Sequence, residues 1–330
     1  MKITRRPMCR IYDDNLPFSP SGAVPLDTLL QLPSGWDVSL PGYVLSNMIS
    51  ATDEFIVIDP FVGAGATLLA CSRKGQACIG SDIDPLAVVA SYAKTGIRSP
   101  GEVFEAVANA RNLLASDLTL TPETLRLGQS LWANCAVTAI ACNWMLRAWS
   151  PDSSERHDSI QDLWSNAGTV DNSTKVFWAD ARSDGLWQVI ANHAQDRPWL
   201  IITSPPFADS RGTFGKCAVW LRGLGADLAA QVTTRSVGCH TKDQLMTGNR
   251  ACVDEFWHSI LLAKVATHCR NRAIVVAEYE VLDDDWSWMN SLGQHGAING
   301  WRSIALHPLY DVPPDGRDHV TEGGLLVAER

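Results

Sequence analysis

The sequence predicts an α/β fold built on a doubly wound, mostly parallel sheet, and three observations carry that expectation. Near-continuous apolar runs at 55–60, 199–207 and 272–281 read as strands covered on both faces. Helical stretches separate the strand-like runs, the alternation that builds parallel sheets. The first run ends in "DPFVGAGAT" (59–67), so a strand, a glycine turn and the helix-forming "LLACSRKG" follow one another directly.

Taken in order, the chain opens with a helix expected over 41–51. "FIVIDP" (55–60) gives the first strand, and a helix over 66–75 leads to a second strand in "ACIGSDID" (77–84). A helix over 86–95 precedes residues 100–173, whose apolar residues recur at helical spacing. That stretch reads as a helical insertion, with Trp132, Trp144 and Trp149 as core residues rather than stacking platforms. "TKVFWADA" (174–181) is the third strand, and a helix over 185–195 leads to the fourth, "WLIITSPPF" (199–207). Residues 208–253 are rich in Gly, Thr, Ser, Arg and Lys with little periodicity, and a loop of that length in a compact domain reads as functional or disordered. A helix over 254–269 and a strand, "RAIVVAEYEV" (272–281), come next. Weaker strand patterns lie at 301–310 and 323–329. The expectation is one domain over 1–330, with no internal repeat.

Composition narrows the class. Hydrophobic residues make up 46% and charged residues 19%, the balance of a globular chain that can bury a full core. No apolar stretch reaches the roughly 18 residues needed to span a bilayer. The N-terminus carries Arg5 and Arg6 without the apolar segment of a signal peptide, so a cytoplasmic protein without membrane association is expected. None of the nine cysteines has C-x-x-C spacing, which argues against a zinc knuckle or a dithiol site and for small buried side chains. The net charge is -9, but it is unevenly spread: residues 208–272 hold 9 Lys/Arg against 5 Asp/Glu, and residues 273–330 hold 3 against 10. A basic segment inside an acidic chain reads as a solvated face or as a footprint for phosphates.

The glycine turn carries the first chemistry. Gly63 and Gly65 allow a tight turn and a close ligand approach, as in the dinucleotide fingerprint. The third glycine of that fingerprint is absent, because position 68 is Leu. Asp59 ends the strand, where a carboxylate repels a pyrophosphate and accepts hydrogen bonds from a cationic amine. Asp82 follows Gly65 by 17 residues, where an acidic side chain can hold two ribose hydroxyls. Asp180 ends the third strand on the same edge, placed to accept from an adenine amino group or simply to cap a turn. A ligand with a ribose, an ammonium group and no phosphate is S-adenosyl-L-methionine (SAM). The candidate cofactor residues are Asp59, Pro60, Phe61, Gly63, Gly65, Thr67, Asp82, Ile83, Asp180 and Ala181.

The second motif is "TSPPF" (203–207). Two prolines after a buried strand end the ladder and stiffen the chain at the crevice where α/β sheets bind ligands. Ser204 and the Pro205 carbonyl offer acceptors aimed at one point, Pro206 fixes the backbone, and Phe207 can stack on a planar base. These four are the candidate catalytic residues. Their arrangement suits an exocyclic –NH₂ group.

"DPFVGAGAT" and "TSPPF", with "GSDIDP" between them, resemble the DNA amino-methyltransferases that modify cytosine N4 or adenine N6. The family's SAM motif, Asp-Pro-Phe-x-Gly-x-Gly-Thr, falls on Asp59, Pro60, Phe61, Gly63 and Gly65. Its catalytic motif, Asp, Asn or Ser before Pro-Pro and an aromatic, falls on Ser204, Pro205, Pro206 and Phe207. Ala66 stands where Thr is usual, with Thr67 next, and Phe207 replaces the commoner Tyr. The resemblance covers about 50–100 and 174–207.

The resemblance implies a Rossmann-like class I SAM-dependent methyltransferase fold, with SAM as cofactor and DNA as partner. The Ser form tilts the target toward cytosine N4, reached by base flipping and methylated by direct in-line transfer. Residues 208–253 become the candidate target-recognition region, with Arg211, Lys216, Arg222, Arg235 and Lys242 as phosphate contacts. A restriction or defence system is the biological setting implied. Two other readings stand beside this one: methylation of an RNA base amino group, such as guanine N2 in tRNA, and a SAM-binding subunit without catalysis. Elsewhere, Glu278 and Glu280 read as a strand end near solvent, "DDD" (283–285) as a charged loop, and His240, His258 and His268 as surface or loop residues.

Overall fold

The computed structural model describes residues 3–5, 39–48, 54–63, 65–83, 87–88, 91, 95, 174–205, 261–282, 286, 288–310 and 320–330. Its strands are β1 (Ile3–Arg5), β2 (Ile56–Asp59), β3 (Cys78–Asp82), β4 (Thr174–Trp178), β5 (Trp199–Thr203), β6 (Ala273–Leu282), β7 (Ser303–Tyr310) and β8 (Val320–Glu329). They form one sheet in the order β1-β7-β8-β6-β5-β2-β3-β4. Every pairing is parallel except those of β8, which runs antiparallel between β6 and β7. This is the mostly parallel α/β sheet expected from the sequence.

Both faces of the central strands are buried, which is why their sequences read as unbroken apolar runs. On β2, Ile56 and Ile58 enter one core cluster while Val57, with Phe55 just before the strand, enters the other. On β5, Trp199 and Ile201 likewise oppose Leu200 and Ile202. One face is covered by helix α3 (Asp184–Ala194), helix α4 (261–268) and helix α5 (Trp288–Ile298), through Trp187, Ile190, Leu262, Val265, Trp288 and Leu292. The other takes α1 (Ser39–Tyr43), the π-helical turn Val44–Met48 and α2 (Ala66–Arg73), through Leu40, Val44, Leu68 and Cys71. Helices on both faces make the sheet doubly wound.

Two elements depart from the sequence reading. β1 adds a short parallel edge beside β7, and three residues are too few to show a period. α5 contains Gly293 and Gly296, which weaken helix propensity, and packing of Trp288 and Leu292 holds it in place. The described part of the helix expected over 254–269 is 261–268. Ala87, Val88, Ser91 and Thr95 are helical within the stretch 86–95. The insertion over 100–173 and the loop region over 208–253 lie outside the described residues.

Cys71, Cys78 and Cys269 are buried and free, in keeping with a packing role, and burial pushes the Cys71 and Cys269 thiols up. No helix among the described residues is long and apolar enough to cross a membrane.

Candidate active site

The chain reverses its winding between β2 and β5, and ligand crevices in open α/β sheets form at such a switch point, beyond the carboxyl ends of the strands. Asp59 ends β2, Asp82 ends β3, Asp180 lies two residues past β4, and Ser204 follows β5. The sheet register therefore gathers at one edge four residues that are far apart in sequence.

Asp59 is buried, with 3% of its surface exposed. Its Oδ1 accepts the Phe61 N–H at 3.1 Å and the Thr203 hydroxyl at 2.6 Å. Burial pushes its carboxyl up to about 6, with the neighbouring Asp82 adding to the rise and hydrogen bonds from Thr203, Thr67 and Phe61 opposing it. The strand-end acid is thus enclosed in the turn, and Thr203 joins it to the Ser-Pro-Pro motif. Pro60 is buried, and its carbonyl accepts the Ser81 hydroxyl at 3.4 Å. Phe61 is half-buried against the core, and Thr67 is buried with Oγ1 3.5 Å from the Ile202 carbonyl.

The glycine turn is set by backbone geometry. Gly63 and Gly65 have φ of 48° and 86°, in the region that favours glycine. The Gly65 N–H reaches the Val62 carbonyl at 2.7 Å, and the Gly65 carbonyl starts α2 by accepting the Leu69 N–H at 2.9 Å. A Cβ on Gly65 would lie 2.9 Å from the Ser91 backbone, and the Ser91 hydroxyl reaches the Gly63 carbonyl at 3.3 Å. The third glycine of a dinucleotide turn lets the helix approach the sheet. Here the room comes from Gly80 on β3, where a Cβ would sit 2.4 Å from Val62 Cγ1 and 2.9 Å from Leu68 Cδ1. Leu68 fits the helix because its neighbour strand gives up a side chain.

Asp82 is half-buried, and its Oδ2 accepts the Gly63 N–H at 3.0 Å. This bond ties the acid at the end of β3 to the turn after β2. Ile83 is half-buried, and its carbonyl accepts the indole N–H of the exposed Trp178 at 3.0 Å. Asp180 also sits on this edge, but Arg182 grips its carboxylate: Arg182 Nε lies 2.9 and 3.0 Å from Oδ1 and Oδ2, and Arg182 Nη2 pairs with Oδ2. Asp180 Oδ1 further accepts the Arg182 N–H, a turn-capping arrangement. Ala181 is buried, and its carbonyl accepts the Trp187 indole N–H at 2.8 Å.

Ser204 is half-buried and Pro205 is buried. The Ser204 hydroxyl donates to Glu278 Oε2 at 2.8 Å. The register pairs Thr203 with Ala277, so the residues following each meet side by side. This corrects the reading of Glu278 as a strand end near solvent, since it is half-buried beside the Ser-Pro-Pro motif. His268 is likewise no loop residue: it lies on α4, and with Lys264 it contacts Asp184 Oδ1 at the start of α3, at 3.1 and 2.6 Å. Pro206, Phe207, Arg211, Lys216, Arg222, Arg235 and Lys242 lie outside the described residues, as do residues 283–285, His240 and His258.

Thr203, Glu278 and Gly80 are the residues that motif reading passes over. Their places depend on which strands lie side by side. Thr203 alone carried a signal, as the residue before the Ser-Pro-Pro motif.

The donor set suits a cationic ligand. Asp59, Asp82 and Glu278 line the edge with carboxylates, and Asp180 is paired with Arg182. A pyrophosphate would meet repulsion here, whereas an ammonium or sulfonium would meet attraction. Among the described residues no cluster of three His, Cys, Asp or Glu is arranged to hold a metal ion.

No family model matches this chain, and no curated protein matches it. Among solved structures it is similar to the rRNA methyltransferase aviRa from Streptomyces viridochromogenes. One structure of that protein, at 2.4 Å, is 13% identical with a TM-score of 0.40 over 82% of this chain and 85% of that one. A second, at 1.5 Å, is 10% identical with a TM-score of 0.45 over 97% of this chain and 96% of that one.

Proposed function

We propose that this chain transfers a methyl group from SAM to the exocyclic amino group of a DNA base, with cytosine N4 ahead of adenine N6. The observation that supports the reading is the 2.6 Å bond between Thr203 and Asp59, which links the end of β2, before the glycine turn, to the residue that precedes Ser204-Pro205. SAM, when bound, supplies an electrophilic methyl on a sulfonium. Asp82 and the turn at Gly63–Gly65 hold the nucleoside part, and Asp59 faces the cationic tail. Ser204 Oγ and the Pro205 carbonyl accept the two protons of the target amine, which favours a pyramidal nitrogen with its lone pair free to attack. Positioning of this kind lowers a barrier by about 7–11 kcal/mol. Phe207 stacks on the flipped base, and the basic stretch from Arg211 to Lys242 contacts phosphates.

The test is incubation with labelled SAM and either genomic DNA or total RNA, followed by nucleoside analysis. Label in N4-methylcytosine or N6-methyladenine of DNA is the expected result. Label found solely in RNA overturns the DNA assignment. Ser204→Ala is expected to lower kcat about 10²-fold or more, to a residual rate that labelled SAM still measures, while SAM binding persists.

A further inference from the structure

We infer that Glu278 is a positioning residue that makes Ser204 an obligate acceptor and takes up the proton released by the target amine; this deepens the function proposed above and rests on it. A serine hydroxyl has one proton to give and two lone pairs to offer. In this structure the proton is directed at Glu278 Oε2, 2.8 Å away. The remaining capacity of Ser204 Oγ is to accept. A target group beside it must therefore donate, as an –NH₂ does. A ring nitrogen without a hydrogen, or a carbonyl oxygen, offers only a lone pair and would oppose another lone pair.

The arrangement follows from the sheet, not from the motif. Thr203 and Ala277 are register partners in β5 and β6, so Ser204, just past the end of β5, lies beside Glu278 within β6. Thr203 in turn is held by Asp59. The serine is thus fixed through its backbone neighbour on one side and its hydroxyl on the other.

The proton path closes the chemistry. As the nitrogen gains the methyl, the sulfur–carbon bond breaks and its electron pair stays on sulfur. The nitrogen then gives up one of its own protons to Ser204 Oγ, while the serine proton moves to Glu278 Oε2. The products are a neutral methylated amine and a protonated Glu278, which returns its proton to water. Neither oxidant nor covalent enzyme intermediate is needed.

The test compares the wild type, Glu278→Gln, Glu278→Asp, Ser204→Ala and the double variant Glu278→Gln/Ser204→Ala. A Gln amide can donate to Ser204 Oγ and occupy a lone pair, and it cannot accept a proton. The expected result for Glu278→Gln is a kcat about 10²-fold lower or more, the size of a lost acid–base contribution, with SAM affinity by calorimetry and Tm near wild type. Glu278→Asp restores part of kcat. The double variant is no slower than Ser204→Ala, because the two residues act as a unit.

Three results overturn the assignment of Glu278: a Glu278→Gln kcat equal to wild type, losses that multiply in the double variant, or wild-type label on a carbon or on a ring nitrogen that carries no hydrogen. Label on RNA amino groups removes the DNA reading alone, and the same kcat comparison then judges Glu278 on RNA.

Discussion

The Thr203 hydroxyl donates to the buried Asp59 carboxylate across 2.6 Å, so the acid that ends β2 and the residue that introduces Ser204 form one unit. Thr203→Val keeps the shape of the side chain and removes the donor. The Asp59 carboxyl then rises above about 6, because a hydrogen bond that holds it down is gone. Loss of a bond to a buried charged group costs about 1–3 kcal/mol. The variant is expected to melt lower than wild type at pH 7.5, with a smaller gap at pH 5, where the folded protein holds Asp59 mainly protonated. An equal Tm at pH 7.5 would show that this contact carries no stability.

Asp59→Asn separates stability from binding. The folded protein holds this carboxyl near 6 against an ordinary value of 3.8, so it binds the proton more tightly than the unfolded chain. That preference supports folding fully below about pH 4 and is lost as pH rises through 6, a change of about 3 kcal/mol. Asn has no such proton to lose. The variant is expected to be more stable than wild type at pH 7.5, with the difference shrinking toward pH 4 in parallel thermal melts. SAM affinity is expected to fall, because the proposed site loses the negative charge at the end of β2. A weaker fold at pH 7.5 with unchanged SAM affinity would sink both parts of this account.

These contacts show where sequence reading reaches and where it stops. β2, β5 and β6 are legible because both their faces are buried, which leaves an apolar run with no polar alternation. Asp59, Asp82 and Ser204 are legible because a strand end next to a turn is a local pattern. Thr203 and Glu278 take their roles from the lateral pairing of β5 with β2 and β6, and nothing in either segment encodes its neighbour. Asp180 differs again. Its partner Arg182 lies two residues on, so the "DAR" spacing held the competing contact in plain view.

Gly80 gives a packing prediction. A Cβ there would fall 2.4 Å from Val62 and 2.9 Å from Leu68, two side chains at the base of the glycine turn. Gly80→Ala therefore pushes α2 and the turn away from β3, at a cost of about 1–3 kcal/mol from overpacking. Gly75→Ala is the control: nothing lies within 4 Å of its Cβ, and the cost is confined to its left-handed φ of 64°. Gly80→Ala is expected to lower both Tm and SAM affinity, and Gly75→Ala to lower Tm alone. If Gly75→Ala weakened SAM binding as much as Gly80→Ala, the turn would not be the element at fault.

Asp82 links the candidate ribose site to the turn, and its two functions can be read separately. Its Oδ2 holds the Gly63 N–H at 3.0 Å, and its charge is one of the causes that raise the Asp59 carboxyl. Asp82→Asn keeps an oxygen for Gly63 and removes the charge, whereas Asp82→Ala removes both. Bonds to a charged acceptor are each worth about 1.5–3 kcal/mol, so Asp82→Ala is expected to weaken SAM binding about 10–100-fold, and Asp82→Asn by less. In both variants the Asp59 carboxyl should titrate below its wild-type value of about 6, as followed by carboxyl NMR. An unchanged SAM affinity in Asp82→Ala would remove Asp82 from the cofactor site. A lowered Asp59 titration in the same variant would still establish that the two acids sense each other across the turn.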